Sequence, residues 1–424
     1  MKDDSYHERR KLEALEPWAL RQHQLARLNA LLAAILPANR LYAEKFGEIS
    51  LPIKSGEEFD RLPYTFKEEL IDPHHHGDFA ANSTYPRERY VRYHQTSGTR
   101  GRPIVVLDTA EDWNWWIETW QFTLDAAEVS PGDRGLLAFS FGPFIGFWSA
   151  FDAVTRRGAM AMPGGGMTSL QRLELIRTGR ANVLLCTPSY ALHLAEVAES
   201  HQLDARELGI DKLILSGEPG GSSPAIRAKI AAHWNARVID HSGATEVGPW
   251  GYSDAEGRGL HVVESEFIAE FLSVEHGGPA AAGELSELVL TSLGRFGSPV
   301  IRYRTGDLVR PEWPAGYANR FVLLEGGVLG RTDDMMIIRG VNVFPSAIEQ
   351  ILRSFPEVLE YRLRAFKIAQ MDHLEVEIED RLEQPERVAE ELRLRLGLKV
   401  DVRCVTIGSL PRFEGKGRRF VDDR

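Results

Sequence analysis

Leucines return at roughly helical spacing through the first fifty residues, at Leu12, Leu15, Leu20, Leu25, Leu28, Leu31 and Leu32. Apolar positions that recur every three or four residues form a stripe along one helix face, so 8–47 is expected to form amphipathic helices. Pro17 interrupts them, and they read as a packing arm. From about 89 to 310 the pattern changes to short apolar runs at 135–140, 183–186, 212–215 and 237–240. Helical patterns at 149–156, 189–199 and 224–233 separate these runs. That alternation predicts an α/β sheet with crossover helices. Turn chemistry marks two of its loops, Pro163-Gly164-Gly165-Gly166 and Ser216-Gly217-Glu218-Pro219-Gly220-Gly221.

The last hundred residues have another character. An alternating apolar run at 335–338 suits a strand. A short helix is expected over 345–353, strands over 358–368 and 374–378, a charged amphipathic helix over 384–396 and a strand over 400–407. This order suits a small α+β module of ferredoxin-like type. A boundary near 329–333 follows, dividing the chain into a large N-terminal domain, 1–330, which includes a helical arm over 1–88, and a small C-terminal domain, 331–424.

Composition narrows the function classes. With 424 residues, 43% hydrophobic and 26% charged, the chain can bury a large core. A formal net charge of −11 disfavours nucleic acid or an anionic membrane as partner, because both reward clustered Lys and Arg. The two cysteines, Cys186 and Cys404, form neither a zinc-ribbon pattern nor a disulfide framework, which suits a reducing cytoplasm. No stretch reaches the ~18 uninterrupted apolar residues of a spanning helix, and no apolar segment follows Met1-Lys2-Asp3-Asp4-Ser5 as in a secretion signal.

Four separated phrases carry the chemistry: Thr96-Ser97-Gly98-Thr99-Arg100-Gly101-Arg102-Pro103, Gly243-Ala244-Thr245-Glu246, Tyr303-Arg304-Thr305-Gly306-Asp307 and Phe413-Glu414-Gly415-Lys416-Gly417-Arg418-Arg419. The first lacks the spacing and the Lys-Ser/Thr end of a Walker A loop. It remains a plausible phosphate cradle. Gly98 and Gly101 let the backbone approach an anion, while Thr96, Ser97 and Thr99 add hydroxyl donors. Glu246 offers a carboxylate to a metal and Asp307 one to sugar hydroxyls. Lys416, in a Gly-flanked tail, offers a mobile cation to developing negative charge. In isolation each phrase reads as an ordinary turn, hairpin or solvated tail. Together they fit nucleotide activation.

In this order the phrases resemble the adenylate-forming superfamily of acyl-CoA synthetases, peptide-synthetase adenylation domains and luciferases. Thr187-Pro188-Ser189-Tyr190, Ile301-Arg302-Tyr303-Arg304-Thr305 and the run from Gly330-Arg331-Thr332-Asp333-Asp334 to Arg339-Gly340-Val341-Asn342-Val343-Phe344-Pro345 look most like the phenylacetate-CoA ligase family. The resemblance implies that family's fold and a C-terminal domain that turns between two poses. It implies that Glu246 binds Mg²⁺ bridging ATP phosphates, that Thr245 meets the attacked phosphate and that Asp307 holds the ribose. It also implies that Arg331 reaches phosphate, that Asp333 is the pivot, that Gly340 lets pantetheine pass close to the backbone and that Lys416 serves acyl-adenylate formation. One departure concerns adenine. The family usually carries an aromatic residue two places before Ala244, and here Ser242 stands there. Gly217, Glu218 and Pro219 can line the adenine instead, or His241 can supply the ring.

The implied activity is an ATP-dependent carboxylate-CoA ligase using ATP, Mg²⁺ and coenzyme A. Its acid is expected to be aromatic, because the apolar stretch 139–148 holds no basic residue for a second carboxylate. Adenylyl transfer or carrier loading without CoA, and a catalytically silent nucleotide-binding homologue, are the alternatives. A homodimer is one open assembly. Three further features read as structural. His74, His75 and His76 are adjacent and so poorly placed to converge on a metal. His261, Glu264 and Glu266 could hold a cation only weakly. Trp113, Trp115, Trp116 and Trp120 should pack a helix into the core.

Overall fold

The computed structural model describes residues 4–71, 80–96, 103–139, 142–314, 316–332, 336–338, 341–368 and 371–412, together with 419–424. Ser97, Gly98, Thr99, Gly101, Asp333, Gly340, Lys416 and the histidines 74–76 lie outside the described residues.

Five parallel strands form one half of a nine-stranded sheet, in the order Met160–Pro163, Arg134–Leu137, Val183–Cys186, Lys212–Leu215 and Arg237–Ala244. The apolar runs of the inner strands Val183–Cys186 and Lys212–Leu215 are buried on both faces, as a parallel sheet with crossover helices demands. Val183, Leu185 and Ile214 join the core on one face. Leu184, Cys186, Leu213 and Leu215 join that on the other. The helices Ile145–Arg156, Pro188–Ser200 and Pro224–Trp234 occupy the expected crossovers, the first beginning four residues before its expected start at 149. The other half of the sheet is antiparallel and runs through Gly248–Tyr252, Gly259–Val262, Leu323–Glu325 and Pro311–Glu312.

A second, four-stranded antiparallel sheet contains Phe267–Ser273, Ser286–Ser292, Tyr303–Val309 and Gly330–Arg331. The N-terminal helices close over part of it: Leu28, Leu31, Leu32, Ile35 and Tyr42 share a core with Ile268, Leu293 and Ile301. The leucine stripe therefore buries the arm against this sheet. Trp113, Trp115, Trp116 and Trp120 are buried on the helix Ala110–Ala126. That helix begins with a reciprocal cap in which Thr109 Oγ1 accepts from the Asp112 backbone and Asp112 Oδ2 accepts from the Thr109 backbone.

The C-terminal unit has its own core, built from Met336, Ile348, Leu352, Leu363, Val376, Ile378, Val388 and Leu392. Its sheet order is Asp401–Cys404, Met371–Asp380, Val358–Ile368 and Phe420–Asp423. The helices and the three main strands lie close to where the sequence put them. The leading strand Met336–Ile338 does not join this sheet but forms a hairpin with Val341–Val343, and the tail strand Phe420–Asp423 takes the outer place beside Val358–Ile368. Among the described residues, no helix is long and apolar enough to cross a membrane.

Candidate active site

The strand from Arg237 continues through Ala244, turns at Thr245, Glu246 and Val247, and returns as Gly248–Tyr252. Gly243-Ala244-Thr245-Glu246 is therefore the tip of a hairpin that prolongs a central strand, beyond the edge where open α/β sheets gather ligands. Gly248 closes the turn at φ +138°, and an added Cβ there would lie 2.8 Å from both Phe267 and Trp115. Only glycine meets both demands.

The tip is anchored from two directions. Arg295 Nη1 donates to the Thr245 carbonyl at 2.8 Å, and Arg295 Nε donates to Asp108 Oδ1 at 2.8 Å. Asp108 lies on Val105–Thr109, which pairs with Tyr90–Gln95. This is the hairpin that brackets the phosphate phrase. At its neck the Thr96 amide donates to the Ile104 carbonyl at 3.0 Å, and Thr96 Oγ1 accepts from the Ile104 amide at 2.9 Å. Thr96 thus closes the base of the loop. From the other side, the Tyr303 hydroxyl donates to Glu246 Oε1 at 2.9 Å. Burial, then the Glu246 charge, push the Tyr303 phenol well above its usual range, so it stays a donor.

Tyr303 opens the strand that carries Asp307. Gly306 has φ +76°, and a Cβ there would approach Arg331 Nη2 to 3.0 Å. Asp307 Oδ1 accepts from Arg331 Nη1 at 2.9 Å, while Arg331 Nη2 donates to the Thr305 carbonyl at 3.2 Å. The structure thus ties Glu246 to the strand of Asp307 and Arg331 through Tyr303, and Thr245 to Asp108 through Arg295. Sequence reasoning quoted Tyr303 without a role and missed Arg295 and Asp108.

The expected adenine-side residues divide. His241 is buried, its ring 4.0 Å from that of Trp120 between centroids, and its Nδ1 lies 2.9 Å from the Gly251 carbonyl and 3.2 Å from Thr123 Oγ1. A carbonyl only accepts, so Nδ1 carries the proton and Thr123 shares it. Burial drives the imidazole pKa down to about 3. His241 is thereby a neutral core side chain, not the open ring that the sequence allowed for adenine. Ser242 is half-buried and pairs with Gly251 across the hairpin, and Gly243 is exposed.

The loop holding Gly217, Glu218 and Pro219 is docked on the same strand through Asp240. Ser222 Oγ donates to Asp240 Oδ2 at 2.6 Å, and a Cβ on Gly221 would lie 2.3 Å from Asp240 Oδ1. Burial raises the Asp240 carboxyl to about 7. Glu218 Oε1 accepts from the Ser189 amide at 2.7 Å, at the start of the helix Pro188–Ser200. Burial raises its pKa as well, and its charged neighbours include Glu349 and Arg419 of the C-terminal unit.

The donor set suits magnesium held largely by substrate. Glu246 supplies a hard carboxylate, and among the described residues no group of three His, Cys, Asp or Glu could hold a metal by itself. Mg²⁺ commonly takes one or two carboxylates, with phosphates and water completing its shell. The weak cation site at His261, Glu264 and Glu266 is replaced by other bonds. His261 Nδ1 meets the Phe321 carbonyl at 2.9 Å, Glu264 Oε2 accepts from the Val322 amide at 2.6 Å, and Glu266 Oε2 accepts from Trp115 Nε1 at 2.6 Å.

Residues 340–424 match the family model of the AMP-binding enzyme C-terminal domain. The chain is 32% identical to a phenylacetate-coenzyme A ligase of Thermus thermophilus, over 96% of each chain. It is 35% identical to that of Escherichia coli, over 86% of this chain and 85% of the relative. Among solved structures it resembles 2-hydroxyisobutyryl-CoA ligase, at 27% identity over 98% of this chain and 92% of the other. The TM-score is 0.91 for that enzyme's postadenylation state with R3-HIB-AMP bound. It is 0.73 for its thioesterification state with 2-HIB-AMP and CoA, at the same coverage. The folds being shared, the difference lies in how the parts are arranged, and this structure is arranged more like the first of the two.

Proposed function

This chain belongs to the phenylacetate-coenzyme A ligase family of adenylate-forming enzymes, and from that premise we propose which acid it activates and how its residues divide the work. It is an AMP-forming acid-thiol ligase. A carboxylate oxygen attacks the α-phosphorus of ATP, forming the acyl-phosphate bond and releasing pyrophosphate. The thiol sulfur of CoA then attacks the acyl carbon, and AMP leaves with the bonding pair.

The proposed acid is aromatic, of phenylacetate or benzoate type. Supporting this, Phe139, Phe147 and Trp148 cluster at the end of the strand Arg134–Leu137, with Phe139 and Phe147 edge to face at 5.4 Å and Trp148 Nε1 donating to the Gly142 carbonyl. Their relatives' names point the same way. Asp307 accepts from the ribose hydroxyls, Thr245 meets the α-phosphate, and Glu246 holds the magnesium that neutralises the phosphates. Arg331 reaches phosphate once ribose draws on Asp307. Ser97, Gly98, Thr99 and Gly101 cradle the leaving phosphates. Gly340 borders the pantetheine path, and Lys416 meets the charge that develops during adenylation. The division into 1–330 and a mobile 331–424, and a cytoplasmic setting, belong to the same proposal.

The observation that carries this reading is the link from Glu246 to the strand of Asp307 through a single buried tyrosine, Tyr303. A panel of aryl, arylacetic and fatty acids, assayed for pyrophosphate and AMP release with and without CoA, tests it. CoA-dependent AMP release with an arylacetic or benzoic acid is expected. A preference for aliphatic acids overturns the aromatic assignment, and AMP release that ignores CoA points to another acceptor. Lys416→Ala should lose most acyl-AMP formation yet convert supplied acyl-AMP to acyl-CoA.

A further inference from the structure

Arg302 is 4% exposed and has φ +49°, a left-handed backbone that a residue with a long side chain rarely adopts. Such strain persists only where the surroundings hold it. Here they do. Arg302 Nη2 donates to Glu270 Oε2 at 2.6 Å, Nε lies 3.1 Å from both Glu270 oxygens, and Nη1 donates to the carbonyls of Asp60 and Leu62. The Tyr64 ring lies 4.2 Å from the guanidinium. The Arg302 carbonyl accepts from the Thr65 amide at 2.8 Å, and the Arg304 amide donates to the Thr65 carbonyl at 2.9 Å. Tyr303, between them, is thereby fixed on both sides along the backbone.

What the clasp fixes is the direction of one phenol. Tyr303 is 1% exposed, and its hydroxyl ends on Glu246 Oε1. A half-buried glutamate on a hairpin tip would otherwise sample several rotamers, and ordering it on ligand binding would cost entropy. We propose that Tyr303 is a positioning residue for magnesium-nucleotide binding: it presets the Glu246 carboxylate in one orientation, and the strained Arg302 clasp presets Tyr303. This rests on the assignment of Glu246 to magnesium.

The test compares wild type, Tyr303→Phe, Arg302→Lys and Glu246→Gln as full-length proteins. Binding of Mn²⁺ as a paramagnetic stand-in for Mg²⁺ is followed by electron paramagnetic resonance with ATP present, and metal-free ATP binding by calorimetry. A hydrogen bond to a charged group contributes enough that Tyr303→Phe should weaken metal binding roughly tenfold. Metal-free ATP binding should stay at the wild-type level, as should CoA ester formation from supplied acyl-AMP, a step in which no pyrophosphate leaves. Arg302→Lys keeps the charge but loses the fork, and should weaken metal binding in the same sense. Wild-type metal affinity in Tyr303→Phe, with Glu246→Gln impaired, overturns the positioning role. Equal loss of ATP binding with and without metal also overturns it, since that marks packing alone. Wild-type metal affinity in Glu246→Gln instead removes the premise.

Discussion

Asp307 and Arg331 meet at 2.9 Å, so the carboxylate assigned to ribose is held by the guanidinium assigned to phosphate. Both side chains are partly exposed, so the pair adds only ~0 to 1 kcal/mol to stability. On the proposed assignment its value is in placement, since ribose bound to Asp307 would free the guanidinium to turn toward phosphate. Asp307→Ala should bring the ratio of kcat/KM for ATP over 2′-deoxy-ATP toward one. Arg331→Ala should lower adenylation about tenfold while keeping that ratio. Loss of the ratio in Arg331→Ala would mean that the arginine serves mainly to orient Asp307.

Arg295 and Asp108 are fully buried and paired, and Arg295 also holds the Thr245 carbonyl. Removing one partner leaves a buried charge uncompensated, which typically costs ~3 to 5 kcal/mol. Asp108→Asn and Arg295→Met should each lower the denaturation midpoint strongly. The double variant should recover part of the loss, and urea unfolding of all four proteins gives the coupling. Simple additivity of the two losses would show that the pair does not act as a unit.

These anchors mark where the sequence stops being informative. The runs at 183–186 and 213–215 were legible because they are apolar along their whole length, whichever face each side chain meets. The segment Gly248–Tyr252 is equally buried, yet its glycines and proline carry no strand pattern. Nor does Phe420–Asp423, a sheet edge with two aspartates. At the site, the motif residues were readable one by one. Arg295 was not, because its partner Asp108 is 187 positions away and only the fold brings them together. His241 was readable in principle. Side chains alternate along a strand, and Ile239 already faces the core that holds Trp120, so His241 had to face it too.

The Asp240 carboxyl, raised to about 7 by burial, makes stability depend on pH in a definite direction. A group whose folded pKa exceeds its unfolded value, about 3.9 for Asp, keeps its proton longer in the folded state. Its contribution is fully present below pH ~4 and is lost as pH rises through ~7. Asp240→Asn cannot titrate, so wild type minus variant stability should fall between pH 5 and pH 8. Urea unfolding across that range checks it. A constant difference would mean that Asp240 ionises in the fold as it does in the unfolded chain.

The contact between the two units gives a last prediction about which half-reaction a surface charge controls. The helix Pro224–Trp234 packs against Pro345–Arg353 of the C-terminal unit, in an arrangement similar to that of the postadenylation-state structure. Lys229, on the first helix, has its pKa lowered by burial and then by Arg353, with Glu196, Arg381 and Glu360 as further charged neighbours. Glu196 belongs to the large unit and stays beside Lys229 in any pose, so only Arg353, Arg381 and Glu360 distinguish the arrangements. Two of those three are positive. Lys229→Glu therefore replaces a net repulsion across the contact with a net attraction, and should hold the units in the arrangement seen here. Lys229 is half-buried, and a charge so placed contributes up to ~1 kcal/mol per pair, so CoA ester formation from supplied acyl-AMP should slow about three- to tenfold. Acyl-AMP formation should be unchanged. Raising the salt concentration should restore the slowed step, because screening weakens partly exposed charges. Single-turnover measurements of both half-reactions at two salt concentrations decide the matter. Equal slowing of both steps, or a faster CoA step, would show that this contact does not hold the arrangement through charge.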